Sequence, residues 1–365
     1  MRIDVKTLYP LRTKIPLSVC MASFHSLAFL IFVTAQFAPT VSQAAGDPPY
    51  RLGRGLALGN TGITIGGYAS AKYKDPANQP WKAEISDLSL FVSWDSGRRW
   101  QAFSEMEIGE AVTLDRDNIS TNEAVFELER TYLDWLGING VNLRFGKFLT
   151  PVGHWNQVHA DPLVWTISRP LTTRAGFANH STGVMLFGDR DFGEGQLDFQ
   201  LYLDDSADLD PKKDKRSPPL ELGAFDNAVG ARAVYHSPDN RWQIGLSAVD
   251  FKANHLADRW TIGGLDFLWK HRGFELSAEV VARFDCGNEW SAFLQGVAPV
   301  ARHWYLVDRY EEFNQLGFDG HVVTNTLGLV FSPLPPLRFK FEYVNGNDVK
   351  GLSEDGFSAS AAVLF

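Results

Sequence analysis

The chain is poor in cysteine, in basic charge and in long apolar runs, and each shortage excludes something. Two cysteines, Cys20 and Cys286, stand among 365 residues, too few for a disulfide scaffold. Lys and Arg number 34 against 43 Asp and Glu, a formal charge of −9. Nucleic-acid binders normally carry a basic surface, so no nucleic-acid partner is expected. Past residue 44 no stretch holds the roughly 20 apolar residues that a membrane-spanning helix needs, and sustained apolar spacing at i, i+3, i+4 is missing too. What is abundant is aromatic: 11 Trp, 10 Tyr and 26 Phe, beside 32 Gly. That composition is wrong for a disordered chain or a long coiled coil.

The N-terminus accounts for part of the apolar content. Arg2, Lys6, Arg12 and Lys14 face a single acid, Asp4, and precede an apolar stretch from Ile15 to Phe37. Ser42 and Ala44 are small enough for a signal peptidase, so 1–44 reads as a cleaved secretory signal and 45–365 as the working domain. Removing four basic groups and one acidic group deepens the net charge to −12 and leaves Cys286 alone. The exported domain then depends on packing and backbone hydrogen bonding rather than on a disulfide.

Period-two alternation dominates the remainder. Val229, Ala231, Ala233 and Tyr235 alternate with Gly230, Arg232 and Val234; Leu337, Phe339, Phe341 and Tyr343 alternate with Arg338, Lys340 and Glu342. Such segments are β-strands with one apolar and one polar face. They recur at 61–74, 85–94, 99–109, 123–136, 141–148, 180–188, 196–204, 227–237, 241–253, 259–271, 273–284, 288–296, 302–313, 320–332, 337–345 and 356–365. The alternation slips within 123–136, and a bulge near Arg130 repairs it. Connections alternate between short turns, such as His271-Arg272-Gly273, and longer loops, notably 149–179 and 205–226. The reading is an all-β transmembrane antiparallel β-barrel of about 16 strands, with long outer loops and short periplasmic turns.

Aromatic residues on the apolar parity cluster beside the short turns: Trp94, Trp100, Tyr235, Trp242, Trp269, Phe274, Phe331 and Phe339. Rings at one height on the outside of a barrel form a girdle at the lipid interface. The last strand alternates from Phe357 to Phe365, and a terminal Phe on such a strand resembles the signal by which barrel-assembly machinery recognises outer-membrane barrels. In the bilayer core every backbone group must be paired, which a closed barrel achieves.

The polar parity is charged, with Asp87, Glu105, Glu107, Glu127, Glu129, Asp266, Glu279 and Glu342 against Lys72, Arg144, Arg232, Arg338 and Lys340. Burying so many charges dry would be prohibitive, so water is expected to reach them. Passive passage of small hydrophilic solutes follows. The longest loop, 149–179, joins the fifth and sixth strands and mixes prolines with Leu163, Val164, Trp165 and Ile167, which favours packing inward over waving in solvent. Its ionisable groups are His154, His159, Asp161, Arg169 and Arg174. With Arg144, Lys147, Glu127 and Glu129 they are the candidate pore-lining residues, and Arg144, Lys147, Arg169 and Arg174 form a modest basic patch.

The stretch Glu129-Arg130-Thr131-Tyr132-Leu133-Asp134-Trp135, followed by Leu143-Arg144-Phe145-Gly146-Lys147-Phe148-Leu149-Thr150-Pro151-Val152-Gly153, resembles the phosphate-selective porin O and P family. Trp304 with Arg309-Tyr310-Glu311, and the closing Phe365, add to the resemblance. It implies a homotrimeric outer-membrane channel of sixteen strands, constricted by its third loop, sitting among outer-membrane lipid and lipopolysaccharide. It implies no cofactor. Phosphate selectivity carries over less readily, because the chain has no ladder of basic residues, and Lys212, Lys213, Lys215 and Arg216 fall in another outer loop.

Two other readings compete. A barrel with a closed lumen would serve binding or adhesion. A barrel enzyme would need a nucleophile beside a base, and Asn179-His180-Ser181 is the one such pairing; neighbours on a strand point to opposite faces and cannot form a dyad directly. His154, His159 and Asp161 form the only local group with the side chains of a metal site, and loop histidines of this kind are more often structural.

Overall fold

The computed structural model describes residues 49–77, 79–158, 160–205, 225–253, 258–285, 289–314, 320–347, 352 and 355–365. Residues 1–44, expected from the sequence to be a secretory signal, lie outside the described residues, as do His159, Cys286 and the basic run at 212–216.

Sixteen long strands follow one another: β1 (Ile63–Pro76), β2 (Lys82–Asp95), β3 (Trp100–Leu114), β4 (Val125–Trp135), β5 (Val141–Leu149), β6 (His180–Phe192), β7 (Gly195–Asp204) and β8 (Phe225–His236). They continue as β9 (Trp242–Ala253), β10 (Trp260–His271), β11 (Phe274–Arg283), β12 (Trp290–Ala301), β13 (Trp304–Asn314), β14 (His321–Leu334), β15 (Leu337–Gly346) and β16 (Gly356–Leu364). Each pairs antiparallel with the next, and β16 returns to β1 with Leu364 opposite Tyr68 and Gly356 opposite Pro76. The ring is a closed barrel without a free edge. Phe365 completes the seam, its backbone N–H donating to Gly67 O at 2.8 Å and its carbonyl accepting from Gly67 N–H at 2.9 Å.

Alternation sets the two faces. Leu88, Leu90, Leu265, Leu294 and Leu327 are exposed on the outside, while Glu105, Arg232, Asp266, Glu279, Arg309 and Lys340 are buried within. Connections after even-numbered strands are two to five residues long. One of the four two-residue turns, Arg272–Gly273, holds both residues at positive φ, 51° and 86°. That is the backbone a two-residue hairpin needs to match strand twist. Between β3 and β4 the register slips: Glu105 faces Arg130 and Met106 faces Leu128, which makes Glu129 the extra residue of a bulge. This bulge keeps Phe126, Leu128 and Leu133 outward although the alternation breaks between them.

The barrel is not hollow throughout. Phe148, Val152, Leu171, Phe177, Tyr202, Phe225 and Phe251 belong to one apolar cluster inside it. It joins the loop after β5 to the inner faces of strands toward the long-loop end.

Candidate channel constriction

The loop between β5 and β6 positions itself through its own local signals. Pro151, Pro162 and Pro170 interrupt the backbone, and two short helical pieces form, a 3-10 turn at Trp155–Val158 and α1 at Leu171–Ala175. Gly153 has φ +67° and lies so close to the Glu279 carboxylate that a Cβ there would collide with it.

Three carboxylates of the barrel wall accept backbone N–H groups from this loop. Glu279 on β11 accepts from Trp155 at 2.5 Å. Glu311 on β13 accepts from Leu171 at 2.7 Å. Glu342 on β15 accepts from Ile167 at 2.8 Å and Ser168 at 3.0 Å. Cations of the same wall hold the loop's oxygens. Arg309 donates to Thr166 Oγ1 at 2.5 Å, Ser168 O at 3.1 Å and Ser168 Oγ at 2.7 Å, and to Glu311 at 2.7 Å. Lys340 Nζ lies 2.8 Å from Asp161 Oδ1 and also donates to Thr166 O at 3.1 Å. Arg338 donates to Leu163 O at 3.0 Å and stacks 4.3 Å over Trp165, which itself meets Tyr305. The segment therefore lies across the interior against β11 to β15. A backbone with few partners of its own is satisfied by charged side chains, which suit buried amides well.

For three ion pairs the expectation that water reaches the lumen charges is corrected. Arg309 with Glu311, Lys340 with Asp161 and Arg232 with Asp266 (2.6 Å) are nearly fully buried. Pairing and loop amides replace water around them, which offsets the desolvation.

The sequence-predicted residues disperse. His154 sits at the loop root, Nδ1 3.3 Å from Gln243 Nε2, and burial holds its pKa below the ordinary imidazole value against the opposing charge of Asp266. Asp161 faces Lys340 instead, so these two do not share a site. Arg169 is half-buried, and Arg174 reaches Leu352 O at 3.5 Å. Arg144 makes a bidentate pair with Asp134, both bonds 2.8 Å. Glu127 lies opposite Glu107, and Glu129 stands 2.6 Å from His180 Nε2. Ser181 instead hydrogen-bonds Thr150, Oγ to Oγ1 at 3.0 Å, so the His-Ser pairing serves separate partners.

Lys147 departs from its expected place. It lies opposite Thr131 on one side and Thr182 on the other, in the register in which Phe145 and Leu133 point outward. Arg144 and Lys147 are three residues apart, and an odd separation on a strand means opposite faces. Lys147 belongs to the outer wall, not to a basic patch with Arg144.

Beside the loop root a cavity of roughly 60 Å³ is lined by Arg130, Tyr132, Arg144, Leu149, Gln157, Met185 and Gln200. Glu311 and Arg309 hold the loop, and strand parity did not single them out. Their polar character was readable, but not their reach to a loop about 140 positions away.

The outer rings cluster at the short-turn end. Tyr235 and Trp242 are 5.4 Å apart, Trp304 and Phe331 4.7 Å, Phe331 and Phe339 6.1 Å. Trp269 lies opposite Trp242, while Trp94, Trp100 and Phe274 are exposed.

Comparison with known proteins places this architecture. No known family model matches the chain. A protein of unassigned function from Aquifex aeolicus (strain VF5) is 28% identical over 166 residues, 44% of this chain, and the match covers 36% of that protein's length. Solved structures match far more of the fold. The anion-selective porin from Comamonas acidovorans aligns with TM-score 0.55 at 17% identity, over 83% of this chain and 98% of its own. OmpF of Salmonella typhi aligns with TM-score 0.58 at 10% identity, over 84% and 99%. The outer membrane channel DcaP of Acinetobacter baumannii aligns with TM-score 0.53 at 13% identity, over 83% and 97%. The fold is a closed sixteen-stranded antiparallel transmembrane β-barrel, the architecture these solved structures share.

Proposed function

We propose that the chain is an outer-membrane porin, a water-filled channel for passive diffusion of small hydrophilic solutes or ions. The observation that carries this reading is the loop of 149–179 fastened across the inside of a sixteen-stranded barrel by Glu279, Glu311, Glu342, Arg309 and Lys340. Barrels of this size keep a lumen, and a loop laid across it sets the bore. The structural likeness to channel proteins of the outer membrane supports the same reading. The aromatic rings near the short turns then sit at one lipid interface, lipopolysaccharide meets the long-loop rim, and Phe365 serves barrel assembly.

Charge layout argues against a phosphate filter. Arg144 is matched by Asp134, Lys147 faces outward, and the inner wall of β2 to β4 carries Asp87, Glu105, Glu107, Glu127 and Glu129 against Arg130. Cations or neutral solutes suit such a wall. In a planar bilayer under a KCl gradient the reversal potential should carry the sign of potassium preference. Arg144→Ala, which frees the Asp134 charge, should move it further that way. Chloride preference would overturn the selectivity reading, and absence of conductance would favour a closed barrel used in binding or adhesion.

Assembly as a homotrimer fits the outer wall. Ser104, Thr131, Lys147 and Thr182 form one polar row across β3 to β6, with a hydrogen bond of 2.8 Å between Ser104 and Thr131. A lysine facing lipid costs up to about 2–4 kcal/mol at the bilayer midplane and less toward the interfaces, whereas against a second copy it can be satisfied. Lys147→Leu should therefore lower the temperature at which the detergent-resistant oligomer dissociates. A rise in that temperature would place Lys147 against lipid.

A further inference from the structure

Of the titratable side chains described in the loop of 149–179, three have protein partners and one has none. His154 meets Gln243, Asp161 meets Lys340, and Arg174 reaches the Leu352 carbonyl. Arg169 makes no hydrogen bond, ion pair or ring contact among the described residues. Its backbone is nevertheless fixed from both sides. Before it, Arg309 donates to Ser168 Oγ at 2.7 Å and to Ser168 O at 3.1 Å, and the Ser168 N–H donates to Glu342 at 3.0 Å. After it, the Leu171 N–H donates to Glu311 at 2.7 Å, and Thr172 Oγ1 lies 2.9 Å from Ser291 Oγ. Ser291, Arg309, Glu311 and Glu342 are buried on the inner faces of β12, β13 and β15, so residue 169 lies inside the ring of strands. A half-buried side chain within a closed barrel owes its exposure to the lumen.

We infer that Arg169 is a specificity-determining residue of the channel, a guanidinium fixed on the loop that faces the aqueous lumen and favours anions over cations. The inference rests on the channel reading above and names the loop charge that tunes it. The other cations nearby are matched or covered. Behind the loop, Arg309 with Glu311 and Lys340 with Asp161 are buried pairs. On β1 to β5, Lys72 pairs with Asp87, Arg130 with Glu105 and Arg144 with Asp134. Arg338 has no carboxylate partner, but it donates to Leu163 O and stacks on Trp165. A matched pair cancels its own field within a few ångströms. An unmatched cation between low-dielectric walls acts on every ion that passes. Its guanidinium stays charged at any working pH, and its unengaged donors fit carboxylate or phosphate oxygens. The charge opposes the cation preference expected of the wall, so it sets how far that preference goes.

Reversal potentials in a dilute KCl gradient test the assignment. Arg169→Ala should raise the potassium-to-chloride permeability ratio by up to about tenfold, the effect of one unit charge a few ångströms from the ion in water. Arg169→Glu should raise it further, and Arg169→Lys, which keeps the charge, should hold the parent ratio. Near 1 M salt the differences should shrink, because screening then acts within about 3 Å. Position is read separately in a Cys286→Ser background. There the thiol of Arg169→Cys should react with charged methanethiosulfonates, with folding checked by heat-modifiable gel migration. A trimethylammonioethyl adduct should restore the parent ratio, and a sulfonatoethyl adduct should raise it. An unshifted ratio in the Ala and Glu variants of a conducting channel would overturn the assignment. So would a thiol that stays unreactive in the folded Arg169→Cys barrel. A parent barrel without conductance would overturn the channel reading and the assignment with it, a result distinct from an unshifted ratio.

Discussion

Deleting residues 160–172 is expected to raise single-channel conductance several-fold. The deletion removes the stretch whose atoms meet Lys340, Arg338, Arg309, Glu342 and Glu311 on the far wall. It leaves Thr150, Trp155 and Asn156 at the loop root, and the Thr150–Ser181 contact that fixes the end of β5 beside β6. The barrel's own backbone pairing is untouched, because the ladders of β5 with β4 and β6 end before the deleted residues. The freed charges then face water rather than loop amides, so their desolvation penalty disappears along with their partners. A wider bore with a wetter wall conducts more. Unchanged conductance in a correctly folded variant would put the loop outside the ion path.

Replacing Arg309 by Met is expected to cost about 3–5 kcal/mol of stability, the range for breaking one side of a buried pair. Arg309 is wholly buried and serves Glu311, Thr166 and Ser168 at once. Met fills similar volume but returns none of those bonds. Glu311 is left with the Leu171 amide, and Thr166 and Ser168 lose a shared donor. Arg309→Lys should recover part of the loss, since an ammonium supplies charge without the planar fork. Thermal unfolding in detergent, followed by circular dichroism, measures both variants. A Met variant as stable as the parent would mean that the loop is held without Arg309. The same variant should also show noisier open-channel current, because the loop segment 166–168 loses its tether.

Much of the architecture could be read along the chain. The segment 227–237 and strand β8, or 337–345 and strand β15, coincide closely because a barrel strand has lipid on one side and the interior on the other. That asymmetry is written directly into alternate residues. The slip at Arg130 was visible for the same reason. Harder cases were those in which a face, not a strand, had to be assigned. Arg144 and Lys147 share charge and neighbourhood, yet the odd spacing sends one inward to Asp134 and the other outward beside Thr131. Composition also misled about solvent: Arg232 and Asp266 belong to the polar parity, but they neutralise each other away from water.

By itself, then, the sequence determined the strands, their number, the tight turns between them and the two chemical faces, since each depends on residues a few positions apart. Only the tertiary structure decided which carboxylates hold the loop and which rings touch. Lys340 meets Asp161 across 179 positions, and Tyr68 meets Phe91 because adjacent strands fall into one register. The Lys340–Asp161 contact also needs the closure of β16 onto β1, which brings β15 round to the loop only when every strand is in place.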